Sequence, residues 1–222
     1  MEEYSVTILE IEEITKGVKK FRVEKPKDYG FSSGHHTIVA INKPTLKDKK
    51  KPFSFSSTDG SPFLEFIVKI YAERDGVTKA FDKLDVGDEL IIGKPWGKIN
   101  YFGKGTFIAA GSGITPFVSI FRQLKKEGNL EGNNLIFSNK VSNEIILEDE
   151  LKRLLGKNVI FTLTRENKKG YENGRIDEKF IKENVKDFEQ NFYICGPFQF
   201  VSELKKTLMK LGAKEENIGS EI

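Results

Sequence analysis

The chain shows two hydrophobic periods in succession. From Tyr4 to Lys94, apolar and polar residues alternate in short runs: YSVTILEIEEI, VKKFRVEK, HHTIVAIN, KPFSFSS, FLEFIVKIYA and DELIIGK. Alternation with period two predicts half-buried strands. Turn signals separate the runs, at Lys16-Gly17, Ser33-Gly34, Asp59-Gly60, Asp75-Gly76 and Val86-Gly87-Asp88. Short strands so spaced, with few helices, predict an antiparallel barrel or sandwich. A short helix over about Thr78 to Leu84 interrupts it.

After Tyr101–Lys104 the period changes. Buried runs GTFIAAG, NNLIFSN, NVIFTLT and FYICGP alternate with helical patterns: ITPFVSIFRQLKKEG, EIILEDELKRLLG, DEKFIKENV and a last helix over about Phe198 to Leu211. Apolar strands alternating with amphipathic helices predict parallel βαβ units. Two domains follow: an antiparallel six-stranded β-barrel over 1–102 and an α/β doubly wound parallel sheet over 103–222.

Composition narrows the chemistry. The 222 residues are 38% hydrophobic and 31% charged, a soluble globular balance. No apolar run approaches a membrane span. The acidic N-terminus lacks the basic segment of a signal peptide. The single cysteine, Cys195, excludes an intrachain disulfide and a four-thiolate cluster. The only histidines, His35 and His36, are adjacent and project to opposite strand faces, so no metal site is expected. A cytoplasmic location is the expectation. A net charge of +3 gives no ground for nucleic-acid binding. The one dense basic run is Lys47, Lys49, Lys50 and Lys51.

Candidate chemistry centres on AGSGITP, Ala110 to Pro116. It ends a parallel strand and opens a helix, where backbone N–H groups and the helix dipole favour an anion. Gly111 and Gly113 allow close backbone approach, and Pro116 suits a first helical turn. The stretch lacks the third glycine of the dinucleotide fingerprint and the Gly-Lys-Ser/Thr of a Walker loop. Read alone, it is equally a plain strand-to-helix turn.

Five motifs in order supply the context. AGSGITP resembles the nicotinamide-binding turn of the ferredoxin–NADP reductase-like flavoprotein family. YICGP, Tyr193 to Pro197, resembles its cysteine-glycine-proline motif. KPFS, Lys51 to Ser54, resembles its arginine-x-tyrosine-serine flavin motif. DGVTKAFDKLDVGDEL resembles its flavin-pyrophosphate segment, and GKPWG, Gly93 to Gly97, its connector. The barrel and doubly wound sheet are also that family's plan.

The resemblance implies a flavin-dependent NAD(P)H oxidoreductase. It moves hydride from NADPH or NADH to FAD, favoured over FMN, then electrons to a separate acceptor such as an acidic ferredoxin or flavodoxin. Lys51 then replaces the phosphate-binding arginine, without its bidentate fork. After Pro52, Phe53 keeps the aromatic face for the flavin ring, and Ser54 faces the flavin N5. Val68 and Lys69 lie near the flavin, and Gly76, Val77 and Thr78 meet its pyrophosphate. A helix cap is the plainer alternative for Thr78. Gly111, Ser112, Gly113, Ile114, Thr115 and Pro116 hold the nicotinamide nucleotide. Cys195 and Gly196, before Pro197, lie near the reacting carbon, with Cys195 not a covalent nucleophile. A buried strand cysteine is the plainer alternative.

Thr164 and Arg165, with Lys168, Lys169 and Tyr171 close by, match the grip of NADPH-using members on the 2′-phosphate. A solvated loop reads the same residues equally well. Glu221 resembles the family's near-terminal acid beside the flavin, with no aromatic after it in GSEI. Ser54, Cys195 and Glu221 are the expected catalytic residues. Two other readings stand beside the reductase: an electron-transfer subunit of a larger oxidoreductase, and a module that binds flavin or nucleotide without catalysis.

Overall fold

The computed structural model describes residues 2–71 and 76–221. They form two compact units: residues 1–97 with 115–123, and residues 98–114 with 124–222. Among the described residues no helix is long and apolar enough to cross a membrane.

The first unit holds six strands: β1 (Tyr4–Thr15), β2 (Val18–Glu24), β3 (His36–Ile41), β4 (Lys51–Ser54), β5 (Phe63–Lys69) and β6 (Glu89–Ile92). Their order is β4-β3-β6-β1-β2-β5, and every pair is antiparallel. An antiparallel bridge from Phe55 to Phe66 joins the chain beyond β4 to β5 and closes the barrel. Closure removes the exposed edges of an open sheet. Alternate side chains fill the interior, where Ile8, Phe21, Phe55, Phe66 and Leu90 have at most 1% exposure. A short helix, α1 (Val77–Phe81), is anchored there by Val77 and Phe81. It starts one residue earlier than its pattern suggests and ends sooner. The run FLEFIVKIYA leaves the strand at Lys69. Its Ala72, and the Asp75 of the Asp75-Gly76 turn signal, lie outside the described residues.

The second unit is a parallel sheet of β7 (Gly105–Ala110), β8 (Asn134–Asn139), β9 (Val159–Leu163), β10 (Glu172–Asn173), β11 (Asn191–Cys195) and β12 (Ile218–Ser220). The order is β10-β9-β8-β7-β11-β12. β7 is first in the chain but central in the sheet; β8 and β9 build outward on one side, β11 and β12 on the other. That reversal is a topological switch point, the place where doubly wound sheets bind ligands beyond their strand ends.

The connecting helices are α2 (Thr115–Lys126), α3 (Glu148–Leu155), α4 (Glu178–Asn184) and α5 (Phe198–Lys210). Ile181 of α4 and Val201, Leu204 and Leu208 of α5 share one core with Ile108, Ile136, Phe192 and Ile194 of the sheet. Residues 115–123 of α2 group with the first unit.

Two sequence expectations change. The helix expected over EIILEDELKRLLG starts only at Glu148, because Leu147 takes a left-handed conformation (φ 55°) and Ile145 and Ile146 enter the core. The short edge strands β10 and β12 lie in segments with no strand pattern of their own.

Candidate functional site

In the second unit, β7 and β11 are paired so that Cys195 lies opposite Ala109 and Tyr193 opposite Phe107. Both strands therefore end together at the switch point. β7 runs into a 3₁₀ turn, Gly111–Ile114, and then α2. β11 runs through Gly196 and Pro197 into α5. The structure brings AGSGITP and CGP, 85 residues apart in sequence if counted from Ala110 to Cys195, side by side.

The glycines there have different tasks. A Cβ on Gly113 would stand 2.4 Å from the Cys195 carbonyl oxygen and 2.6 Å from the Gly196 nitrogen, so the turn and the end of β11 touch backbone to backbone. Gly196 is nearly as tight against Phe200 and Ala110. Gly111 has φ +54° and open space where its Cβ would be. A cradle of this kind, open above a turn at a helix start, fits a pyrophosphate. Ser112 is exposed, while Ile114, Thr115 and Pro116 are buried. Pro197 precedes α5 with no side-chain cap.

Burial pushes the Cys195 thiol up to about 12, and the Glu221 charge adds to the effect. A thiol so held stays protonated at neutral pH and is no nucleophile. Glu221 itself is exposed, and Ile222 lies outside the described residues.

Beyond β9, Thr164 and Arg165 are exposed, their backbone N–H groups donating to the carbonyls of Asn139 and Lys140 at 2.9 Å. The loop after them is clasped to the segment that follows β8. The Tyr171 hydroxyl donates to Glu148 at 2.6 Å, and Lys168 donates to the Ser142 hydroxyl at 2.9 Å while lying 5.3 Å above the Tyr171 ring. The Glu166 carboxylate accepts from the Ser142 backbone at 2.5 Å, which lowers its pKa. No local sequence signal marks Glu166, Glu148 or Ser142 as part of this clasp.

In the first unit, β4 pairs with β3, placing Ser54 opposite His36 and Phe53 opposite Thr37. Lys51 and Pro52 are exposed; Phe53 and Ser54 are half-buried. The Phe53 ring lies 5.2 Å from that of Phe81, which brings KPFS next to α1. The N-cap of α1 is Gly76, extended and with no side-chain cap hydrogen bond. Thr78 sits inside the helix, so it is not the cap. A Cβ on Gly76 would meet nothing within 4 Å. An exposed lysine and an uncapped, glycine-led helix start suit the phosphates of a flavin cofactor. Val68 is buried in the barrel core at 1% exposure, whereas Lys69 is half-buried at the end of β5. Among the described residues no group of three metal-ligating side chains occurs.

An uncapped helix start beside an aromatic strand in one unit, and a glycine cradle at a switch point in the other, are each compatible with a phosphate-bearing cofactor, and comparison with known families gives the class: oxidoreductases that use a flavin and a nicotinamide nucleotide. The oxidoreductase FAD-binding domain matches residues 5–101, and the oxidoreductase NAD-binding domain matches residues 107–206. The chain belongs to the ferredoxin–NADP reductase-like family of NAD(P)H-dependent flavoprotein reductases.

The NADPH nitrate reductase of Emericella nidulans is 27% identical over 85% of this chain, which spans only 26% of that protein. NADH-cytochrome b5 reductase 2 of Danio rerio is 25% identical over 97% of this chain and 83% of its own length. The structure of a Neisseria gonorrhoeae ferredoxin NADP+ reductase with bound FAD and NADP is 21% identical, with a TM-score of 0.86 over 98% of this chain and 97% of that one.

Proposed function

We propose that this chain takes electrons from NAD(P)H through bound FAD and delivers them to a separate one-electron carrier protein. The observation that carries this reading is the convergence of the Gly111–Ile114 turn and Cys195-Gly196 at the switch point. When bound, the flavin supplies the redox chemistry, accepting a hydride from the nicotinamide and releasing electrons singly.

The chain's own groups bind and orient. The N–H groups of Gly111 to Thr115 hold the nucleotide pyrophosphate, and Gly113 and Gly196 let two backbones close under the nicotinamide. The protonated Cys195 thiol offers a small, uncharged contact. Lys51 and the start of α1 take the flavin phosphates, Phe53 packs on the ring, and the Ser54 hydroxyl donates toward its reacting nitrogen. Glu221 adds a negative charge near Cys195.

NADPH is proposed as the better donor, on the exposed cation of Arg165 beyond β9. The Glu166 carboxylate nearby counts the other way. The exposed lysines of the loop before β4, Lys47 and Lys49, would steer an acidic carrier. A cytochrome b5-type haem protein heads the candidates, because a relative named for that substrate matches nearly the whole chain. A ferredoxin or flavodoxin follows from the motifs. Because the chain spans only a quarter of the nitrate reductase it resembles, service as the flavin module of a larger enzyme is the second reading.

The test is the visible spectrum of the purified protein, before and after anaerobic NADPH and then NADH. Bleaching of a flavin band supports the reading, and the faster donor decides the nucleotide. A protein that binds no FAD would refute it. Reoxidation of the bleached protein by cytochrome b5, ferredoxin or flavodoxin then ranks the acceptors.

A further inference from the structure

One buried carboxylate is not used by the chemistry above. Glu65, on β5, is 2% exposed. Arg122 of α2 donates to it at 2.6 Å, the Ser56 hydroxyl at 2.9 Å and Arg22 Nε at 3.1 Å. Arg122 also donates to the Ser56 carbonyl at 2.9 Å. Beside it, the Ser119 hydroxyl donates to the Ser57 carbonyl at 2.8 Å, and the Ser57 hydroxyl accepts from the Glu65 backbone at 3.0 Å. All these residues lie within the first unit.

The network ties one stretch of chain to β5 and α2. Ser56 and Ser57 directly continue β4, two and three residues past Ser54, in the segment KPFSFSS. Beyond Ser54, the Phe55 backbone N–H donates to His35 at 3.0 Å and Phe55 bridges to Phe66 of β5; the Ser56 N–H donates to the Glu65 carbonyl at 2.9 Å, and the Ser56 hydroxyl and carbonyl then enter the network. Buried ion networks contribute little net stability relative to apolar side chains of the same volume. What they impose is one geometry, because each remaining lone pair and proton has a single good partner.

We propose that Glu65 and Arg122 are positioning residues: they lock the end of the flavin strand and so fix where Ser54 presents its hydroxyl. This rests on the role given above to Ser54. Neither side chain is assigned to the reacting atoms; both act through Ser56, Arg122 at its carbonyl and Glu65 at its hydroxyl.

A double-mutant cycle tests it. Arg122→Met is made in the native chain and in Ser54→Ala, and anaerobic flavin reduction by NADPH is followed by stopped flow. Coupled residues are expected to be non-additive. In the native background Arg122→Met slows reduction about tenfold; in Ser54→Ala it slows it less than about threefold. Visible circular dichroism of the bound flavin, an activity-independent readout, changes in Arg122→Met and partly returns in Arg122→Lys. Equal factors in both backgrounds, with unchanged dichroism, would overturn the proposal and leave a role in stability alone.

Should Arg122→Met fail to fold, the pair Glu65→Leu with Arg122→Met removes both charges and takes its place, since Arg22 keeps its partner Glu10 at 2.7 Å. If Ser54→Ala itself has no effect, the reading of Ser54 falls separately. The lock is then judged on the dichroism, and an unchanged spectrum sinks it.

Discussion

Gly113→Ala gives the sharpest test of the switch-point geometry. The new methyl would stand 2.4 Å from the Cys195 carbonyl oxygen, 2.5 Å from its carbon and 2.6 Å from the Gly196 nitrogen. Carbon atoms in proteins sit about 3.5 Å from their neighbours, so the turn and the end of β11 must part by about 1 Å. All three obstacles are backbone, and no rotamer change relieves them. Overpacking of this kind costs about 1–3 kcal/mol, and backbone obstacles put it in the upper half. For a chain of this length that lowers Tm by about 4–12 °C. A displacement of about 1 Å at the proposed nicotinamide subsite also costs about a hundredfold in hydride transfer.

Gly111→Ala is the control. Its methyl meets nothing within 4 Å, so the penalty is the left-handed φ of +54° alone, about 1–2 kcal/mol. That methyl fills the cradle where the pyrophosphate would lie. Differential scanning fluorimetry and NADP⁺ titration on both variants separate the effects. Gly113→Ala should lose stability and rate; Gly111→Ala should lose mainly nucleotide affinity, by about tenfold or more. A Gly113→Ala protein with native Tm and native rate would refute the close approach of turn and strand. A Gly111→Ala protein that binds NADP⁺ normally would remove the phosphate from the cradle.

Three other outcomes are expected. Burial alone would raise the Glu65 carboxyl, but the Arg122 charge and its hydrogen bonds outweigh it and hold it below the ordinary 4.5. The stabilisation is complete above that value and is lost as pH falls through the lower folded one, so Glu65→Gln should flatten acid unfolding below about pH 4; an unchanged acid limb would count against the network. Cys195, half-buried and held up to about 12, should resist iodoacetamide at pH 8 in the native state and react on unfolding, and rapid native labelling would contradict its raised pKa. Lys51→Arg restores a planar fork for phosphate and should tighten FAD binding about threefold to tenfold by fluorescence titration; weaker binding would remove Lys51 from the flavin site.

The barrel was legible because its strands keep period two over one buried face, and the nucleotide sheet because its buried runs alternate with amphipathic helices. The lost detail has physical causes. Glu144 to Ile146 share the helical pattern of the residues after Leu147, but one left-handed residue turns the two isoleucines into the core instead. β10 and β12 are two and three residues long, too short to carry a period, and exist only because a neighbour offers a free edge. Thr78 looks like a cap by residue type, yet the cap of α1 is Gly76, two residues earlier.

Glu65 is the instructive case. In FLEFIVKIYA the alternation assigns Leu64, Phe66 and Val68 to the core and Glu65 to solvent. The first half of that assignment matches the structure. The second fails because the outer face of β5 is covered: Arg122, 57 residues away, brings α2 over it. Periodicity reports which face a residue occupies, but not what later packs on that face. A carboxylate on a strand's polar side is therefore read as solvated until a distant cation is found for it. The same holds across the site. AGSGITP and CGP were each recognisable as short stretches, but the contact between Gly113 and the Cys195 carbonyl belongs to the pairing of β7 with β11. A ligand site built at a switch point is legible as parts, and becomes a site only through the strand order that joins them.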